Sequence, residues 1–189
     1  GESPFNETFF TDAIALKADL VGQQNKGWTV GKRLLQHERS GMESLVSGGA
    51  KGAEMTLVGE AKQSLGEVDG TIADPAWRAQ ILKYEMDNGA FRLAQRRAVE
   101  ESEGGTPGPV TSIFKVCGTE LQQTYYDMKL QLRGIRGYPD TITDTQDFYE
   151  PDELETTKNW LFYRAASIYS GSNEVQRNII AKRVLGLPD

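Results

Sequence analysis

Residues 74–98 read DPAWRAQILKYEMDNGAFRLAQRRA. Asp74 is a residue type that caps helix starts. Pro75 suits the first helical position, where no amide donor is needed. From there Trp77, Ile81, Tyr84, Asn88, Phe91, Gln95 and Ala98 follow at steps of three and four. Such steps keep to one side of a 3.6-residue helix. The spacing predicts a long amphipathic helix that ends before GGTPGP at 104–109.

The same signals recur on both sides. Upstream, NKGWTVGKRLLQHERSGMESL (25–45) puts Trp28, Gly31, Leu35, Glu38, Met42 and Leu45 on one helical face. The glycine-rich stretch 47–70 reads as a continuation of that helix followed by a loop. Downstream, Thr106-Pro107 repeats the capping device. Ile113, Cys117, Leu121, Tyr125, Met128 and Leu132 then line a third helix, which Gly134 stops. Residues 138–155 are acidic and turn-rich and read as a surface loop. A fourth helix follows over about 153–168 and a fifth from Ser172. In the fifth, Glu174 suits the positive helix start, and Lys182 and Arg183 suit the negative end. The opening FNETFFTDAIAL (5–16) mixes aromatic and β-branched residues without a helical period, as a strand end and its connector would. Four or five helices with short breaks predict an all-α, antiparallel helical bundle.

Composition narrows the function. The chain of 189 residues is 38% apolar, enough for a core, and carries a net charge of −6. No block of Lys and Arg forms a stripe, which argues against nucleic acid as partner. No apolar run approaches the ~20 residues of a membrane span. The N-terminus GESPFNETFF lacks the basic and apolar regions of a signal peptide. Cys117 is the only cysteine, which fits a reducing, cytoplasmic setting. His37 is the only histidine, so no histidine-clustered metal site is expected, and a Ser-His-Asp triad has one candidate at most.

Three features break the helical pattern. Glu38 stands on an apolar face between Leu35 and Met42. It is either a structural ion-pair partner or a general base, since desolvation raises a carboxylate's pKa toward neutrality. The turn Ser170-Gly171-Ser172-Asn173 opens a helix; Ser172 is an N-cap there, or the free amides hold an anion. In LQLRGIRGY (130–138), Gly134 and Gly137 turn the chain or admit a ligand, and Gln131 is a hydrogen-bonding candidate.

Taken in order, LVGQQNKGWTVGKRLLQHERSG (20–41), LQLRGIRGY (130–138) and RAASIYSGSNEVQRNIIAKRVLGLP (164–188) resemble the C-terminal half of an acyl-CoA dehydrogenase. The resemblance covers about residues 5–188. It is closest to bacterial members with a His-Glu-Arg-(Ser or Thr)-Gly stretch and an Arg-Val-Leu-Gly-Leu-Pro end. It implies a C-terminal domain that is an antiparallel four-helix bundle over 21–189, in a protein about twice this length. A short remnant of a β-domain precedes it over 1–20, with FNETFFTDAIALKADLVG (5–22) as the end of the middle β-domain and its connector. It implies FAD as cofactor, an acyl-CoA substrate and α,β-desaturation. An electron-transfer flavoprotein is implied as electron acceptor. Assembly into a homo-oligomer (dimer or tetramer), or a heteromer with a related subunit, is implied too.

Residue by residue, Ser170 stands where many members keep their catalytic glutamate. In the isovaleryl-CoA and long-chain branches the base comes from the first helix, just before an arginine; Glu38 and Arg39 match those positions. The resemblance thus makes Glu38 the base and puts Arg39 near the substrate. Gln131, Gly134 and Gly137 match the segment that contacts the adenine end of FAD, often across a subunit boundary, with Ile135 in place of its second glycine. Ser172 and Glu174 match residues near FAD at the head of the last helix. The family's Arg-x-x-Phe-Gly stretch is replaced by LVGEAKQSLGEVDGTIADPAWR (57–78).

Overall fold

The computed structural model describes residues 6–34, 56–101, 108–137 and 149–188. The chain divides into two compact units, 1–47 and 48–189. In the first, a 3-10 turn covers Lys17–Asp19 and residues 27–34 are helical (α1), close to the expected start at Asn25. Residues 6–16 carry no strand. A strand needs neighbours for its amides and carbonyls, and this unit holds none among the described residues. Phe9, Phe10 and Ile14 stand exposed there.

The second unit begins with α2 (Leu57–Leu65), whose N-cap Thr56 accepts the Gly59 amide at 3.2 Å. After Gly66 come β1 (Glu67–Val68) and β2 (Thr71–Ile72), antiparallel with Glu67 opposite Ile72. Asp69 and Gly70 both take positive φ (50° and 75°), the backbone of a two-residue hairpin turn. The helix continuation and loop expected over 47–70 are, from Thr56 on, a newly capped helix and a hairpin. The Asp-Gly signal was present, but strands of two residues are too short to show alternation.

α3 spans Pro75–Glu101. Asp74 caps it as expected: its Oδ1 accepts from the amides of Ala76 (2.8 Å) and Trp77 (2.9 Å). Along α3 the shielded side chains are Trp77, Ile81, Tyr84, Asn88, Phe91, Gln95 and Ala98, the predicted stripe. α4 (Thr111–Arg133) starts after a turn at 109–110, later than the expected Thr106-Pro107, which lies outside the described residues.

α3 and α5 (Pro151–Tyr163) both run antiparallel to α4. Phe114 and Tyr125 meet Phe91 and Tyr84 on one side, and Asp127 and Arg133 meet Trp160 and Asp152 on the other. α4 is exposed only along one line, Glu120, Thr124 and Gln131. Its polar-looking face is half-buried, and polar groups there find partners. Gln123 Nε2 donates to the Tyr163 carbonyl (3.0 Å), Lys115 Nζ to the Ala166 carbonyl, and Trp160 Nε1 to Asp127 (2.6 Å).

α5 starts on a Glu150/Glu153 capping box with Pro151 in its first turn. It tightens into a 3-10 turn over Arg164–Ser167, so the expected fourth helix is present. α6 (Asn173–Ile179) continues as a π-turn through Ile180–Val184. The core joins α2, β2, α3 and α4 through Leu57, Ala61, Ile72, Ile81, Met128 and Leu132. Each large aliphatic side chain buried there contributes about 1.5–3 kcal/mol. The architecture is all-α, as the stripes predict.

Candidate functional site

Glu38 and Arg39 lie outside the described residues, as does His37. The other candidates form two groups at different levels of α4.

The first group is at its C-terminal end. Gln131 lies on the exposed line of α4. Gly134 closes the helix at φ 55°, ψ −129°, a conformation open to glycine. A Cβ there would meet nothing within 4 Å. The turn Gly134–Gly137 follows, with Ile135 on its outer side and 86% exposed. Gly137 instead faces inward: a Cβ on it would lie 2.7 Å from the Leu130 carbonyl oxygen. Its own carbonyl accepts the Thr157 hydroxyl at 2.5 Å.

Beneath this turn lies a charge cluster that the sequence analysis did not single out. Arg133 Nη2 is 3.0 Å from Glu60 Oε1 and also bonds the Asp152 carboxylate, while Nη1 donates to the Asp152 carbonyl at 2.8 Å. Lys129 Nζ lies 3.5 Å from Glu60 and 3.6 Å from Asp152. Burial alone disfavours charge on Arg133 and Asp152, but their mutual hydrogen bond, with Glu60 and Lys129 beside them, outweighs it. The Arg133 pKa is therefore raised and that of Asp152 lowered. Arg136 Nη2 donates to Glu153 Oε2 at 2.8 Å, and this hydrogen bond holds the Glu153 carboxyl below its ordinary range. The second Glu60 oxygen is buried without a hydrogen-bond partner among the described residues. The signal that marked Glu38, a carboxylate on an apolar face, also marks Glu60 between Leu57 and Ala61.

The second group is the head of α6. Ser170 and Gly171 take positive φ (54° and 91°), and Ser172 is the N-cap, accepting the Val175 amide at 3.4 Å. Glu174 is held below its ordinary range by its own backbone amide and then by the Ser172 hydroxyl. Its charge already serves the helix start. Asn173 is buried against Thr119 (3.2 Å), which docks α6 on α4. Thr119 and Gln131 are twelve residues apart on α4, about 18 Å along its axis. The two groups are not brought together within one chain.

Burial raises the pKa of half-buried Cys117, so it is no ready thiolate. Among the described residues no cluster of His, Cys, Asp and Glu suits a metal ion, and no helix is long and apolar enough to cross a membrane.

A family model described as acyl-CoA dehydrogenase, C-terminal domain, matches residues 25–185. The acyl-CoA dehydrogenase IpdE1 of Mycolicibacterium smegmatis is 31% identical over all of this chain and 44% of its own length. IpdE1 of Mycobacterium tuberculosis is 34% identical over all of this chain and 45% of its own length. The acyl-CoA dehydrogenase FadE34 of Mycobacterium tuberculosis is 26% identical, again over the whole chain but 24% of its own length. The chain spans less than half the length of these relatives. No solved structure gives a significant match.

Proposed function

Because the chain belongs to the acyl-CoA dehydrogenase family through its C-terminal helical domain, we propose that it is part of a flavin-dependent enzyme that desaturates an acyl-CoA. The observation that carries this reading is the family match over 25–185. It runs through Glu38, the turn Gly134–Gly137 and the head of α6.

In this reading Glu38 is the base. Its carboxylate takes the proton from the α-carbon, which the thioester acidifies, and the C–H electron pair becomes part of the new α,β double bond. Ser170, at the alternative position, is exposed and its hydroxyl is far too weakly basic. Arg39 lies beside the substrate. FAD, when bound, supplies the acceptor for the hydride released from the β-carbon, and an electron-transfer flavoprotein drains it. Gln131 and Gly134 suit the adenine end of that cofactor: an outward amide stands beside glycine backbone with open space around it. Gly137 shapes the turn from within. Ser172 and Glu174 lie on the flavin side at the capped head of α6. With the two groups about 18 Å apart along α4, we assign the adenine contact to the cofactor of a neighbouring subunit. Residues 1–20 are the end of a middle β-domain, and the enzyme is cytoplasmic.

The test is Glu38→Gln in the full-length protein, followed by the rate of flavin reduction by acyl-CoA. Reduction should fall by at least 100-fold, the lower bound of what a positioned base contributes. A wild-type rate would overturn the assignment.

One observation favours a second reading, in which the domain serves assembly alone. α3 carries Leu82, Met86 and Leu93 exposed on the side away from its core stripe. A helix apolar on two sides suits burial between neighbours. Light scattering on the fragment decides whether the domain self-associates; a non-catalytic partner subunit of a heteromer would instead, at full length, stay colourless with FAD and turn yellow only with its companion subunit.

A further inference from the structure

Around the end of α4, residues tied down and residues left open alternate. Arg133, Arg136 and Gly137 are tied: to Glu60 and Asp152, to Glu153, and to Thr157. Gln131, Gly134 and Ile135 are exposed. Three of the four partners lie within the first two turns of α5, Asp152, Glu153 and Thr157. The ties reach the turn at both ends and in the middle, and Gly137 has no room for even a Cβ.

We propose that the start of α5 is a positioning clamp for the outward edge formed by Gln131 and Gly134, with Thr157 and Glu153 as positioning residues for the adenine half of FAD. The inference rests on the reading that this edge contacts the cofactor. Thr157 and Glu153 themselves point away from it, into the turn. A contact surface held before the ligand arrives loses less ordering entropy on binding, so the clamp acts on affinity. The Arg133–Asp152–Glu60 cluster fixes the last turn of α4. Thr157 fixes the far end of the 3-10 turn through one hydrogen bond to the Gly137 carbonyl. That bond can be removed without leaving a buried charge behind.

The experiment uses full-length apoprotein titrated with FAD, read by flavin fluorescence, with thermal melting of each variant alongside. Thr157→Val should raise the FAD dissociation constant about five- to tenfold, the effect of one hydrogen bond, and lower the melting temperature by no more than the loss of that one bond. Thr157→Ser, which keeps the hydroxyl, should restore binding. Glu153→Gln should weaken binding in the same direction and stands in if Thr157→Val does not fold. Gln131→Ala tests the underlying contact. Weaker FAD binding in Gln131→Ala with wild-type binding in Thr157→Val and Glu153→Gln overturns the clamp alone. Wild-type binding in Gln131→Ala overturns the cofactor reading and the clamp with it.

Discussion

Lys129 Nζ lies 3.5 Å from Glu60 Oε1, with 1% and 7% of the two side chains exposed. Glu60 also takes Arg133 at 3.0 Å, so one buried carboxylate serves two cations. Removing the acid leaves the two sheltered cations only the exposed Asp152 carboxylate, whereas removing the lysine leaves Glu60 paired to Arg133. Glu60→Ala is therefore expected to destabilise by about 3–5 kcal/mol, and Lys129→Met by less than about 2 kcal/mol. Urea midpoints of the two variants check the order. Equal losses, or a larger loss in Lys129→Met, would show that the acid is not the hub.

The neighbouring pair sets a pH dependence. The Arg136 hydrogen bond, against a smaller burial effect, holds the Glu153 carboxyl below its ordinary value. The folded protein keeps Glu153 ionised at a pH where the unfolded chain has begun to bind a proton. The stability from this pair is complete above the ordinary carboxylate range of about pH 4–5 and fades as pH falls through the depressed folded value. Wild type should lose more stability than Glu153→Gln as pH falls below about 5, and the difference should level off once Glu153 is protonated in the folded protein too. Parallel curves in acid denaturation would rule the contribution out.

The long stripes were legible because one physical rule, burial of a helical face, governed every position. All seven shielded residues of α3, from Trp77 to Ala98, lie where the spacing puts them. α4 was half legible. Its apolar line from Ile113 to Leu132 is shielded, but Lys115, Gln123 and Asp127 are sheltered as well, by bonds to carbonyls and side chains some 30 to 50 residues away that local spacing does not encode. The hairpin at Asp69-Gly70 hid behind its own brevity. Among the site residues, Ser172 and Gly134 were readable from local backbone rules, a cap and a helix stop. Gly137 was not, because its reason is the Leu130 carbonyl beneath it. Glu38 rests on its place in an apolar stripe and on resemblance, Arg39 on resemblance alone.

Two glycines of the turn should fail for different reasons. Gly134→Ala places a side chain at φ 55°, ψ −129° in open space, so its cost is conformational, about 1–3 kcal/mol. Gly137→Ala puts a Cβ 2.7 Å from a backbone oxygen, and the turn has to move to accept it. That overpacking also costs about 1–3 kcal/mol, but it should break the Thr157 bond as well. Combined with Thr157→Val, Gly137→Ala should therefore be less than additive in chemical denaturation, whereas Gly134→Ala should add fully. Full additivity of Gly137→Ala with Thr157→Val would mean that the turn accepts the methyl without shifting.

The outer face of α3 bears on assembly. Leu82, Met86 and Leu93 recur four and seven residues apart, with Gly89 and Ala90 between them. Lys83–Asp87, Arg96–Glu100 and Arg97–Glu101 pair along the same helix, so these six charges are already matched. Such a face can approach a second copy of α3 without stranding a charge, and the small residues at its middle permit close contact. The three side chains are 60–67% exposed, so they contribute little to the fold among the described residues. Replacing all three by Gln should therefore leave the monomer's stability within about 0.5 kcal/mol per site, while lowering the mass seen by light scattering in a concentration series. If the triple variant keeps the wild-type mass, this face is not where copies meet; if it unfolds, the face is packed within one chain after all.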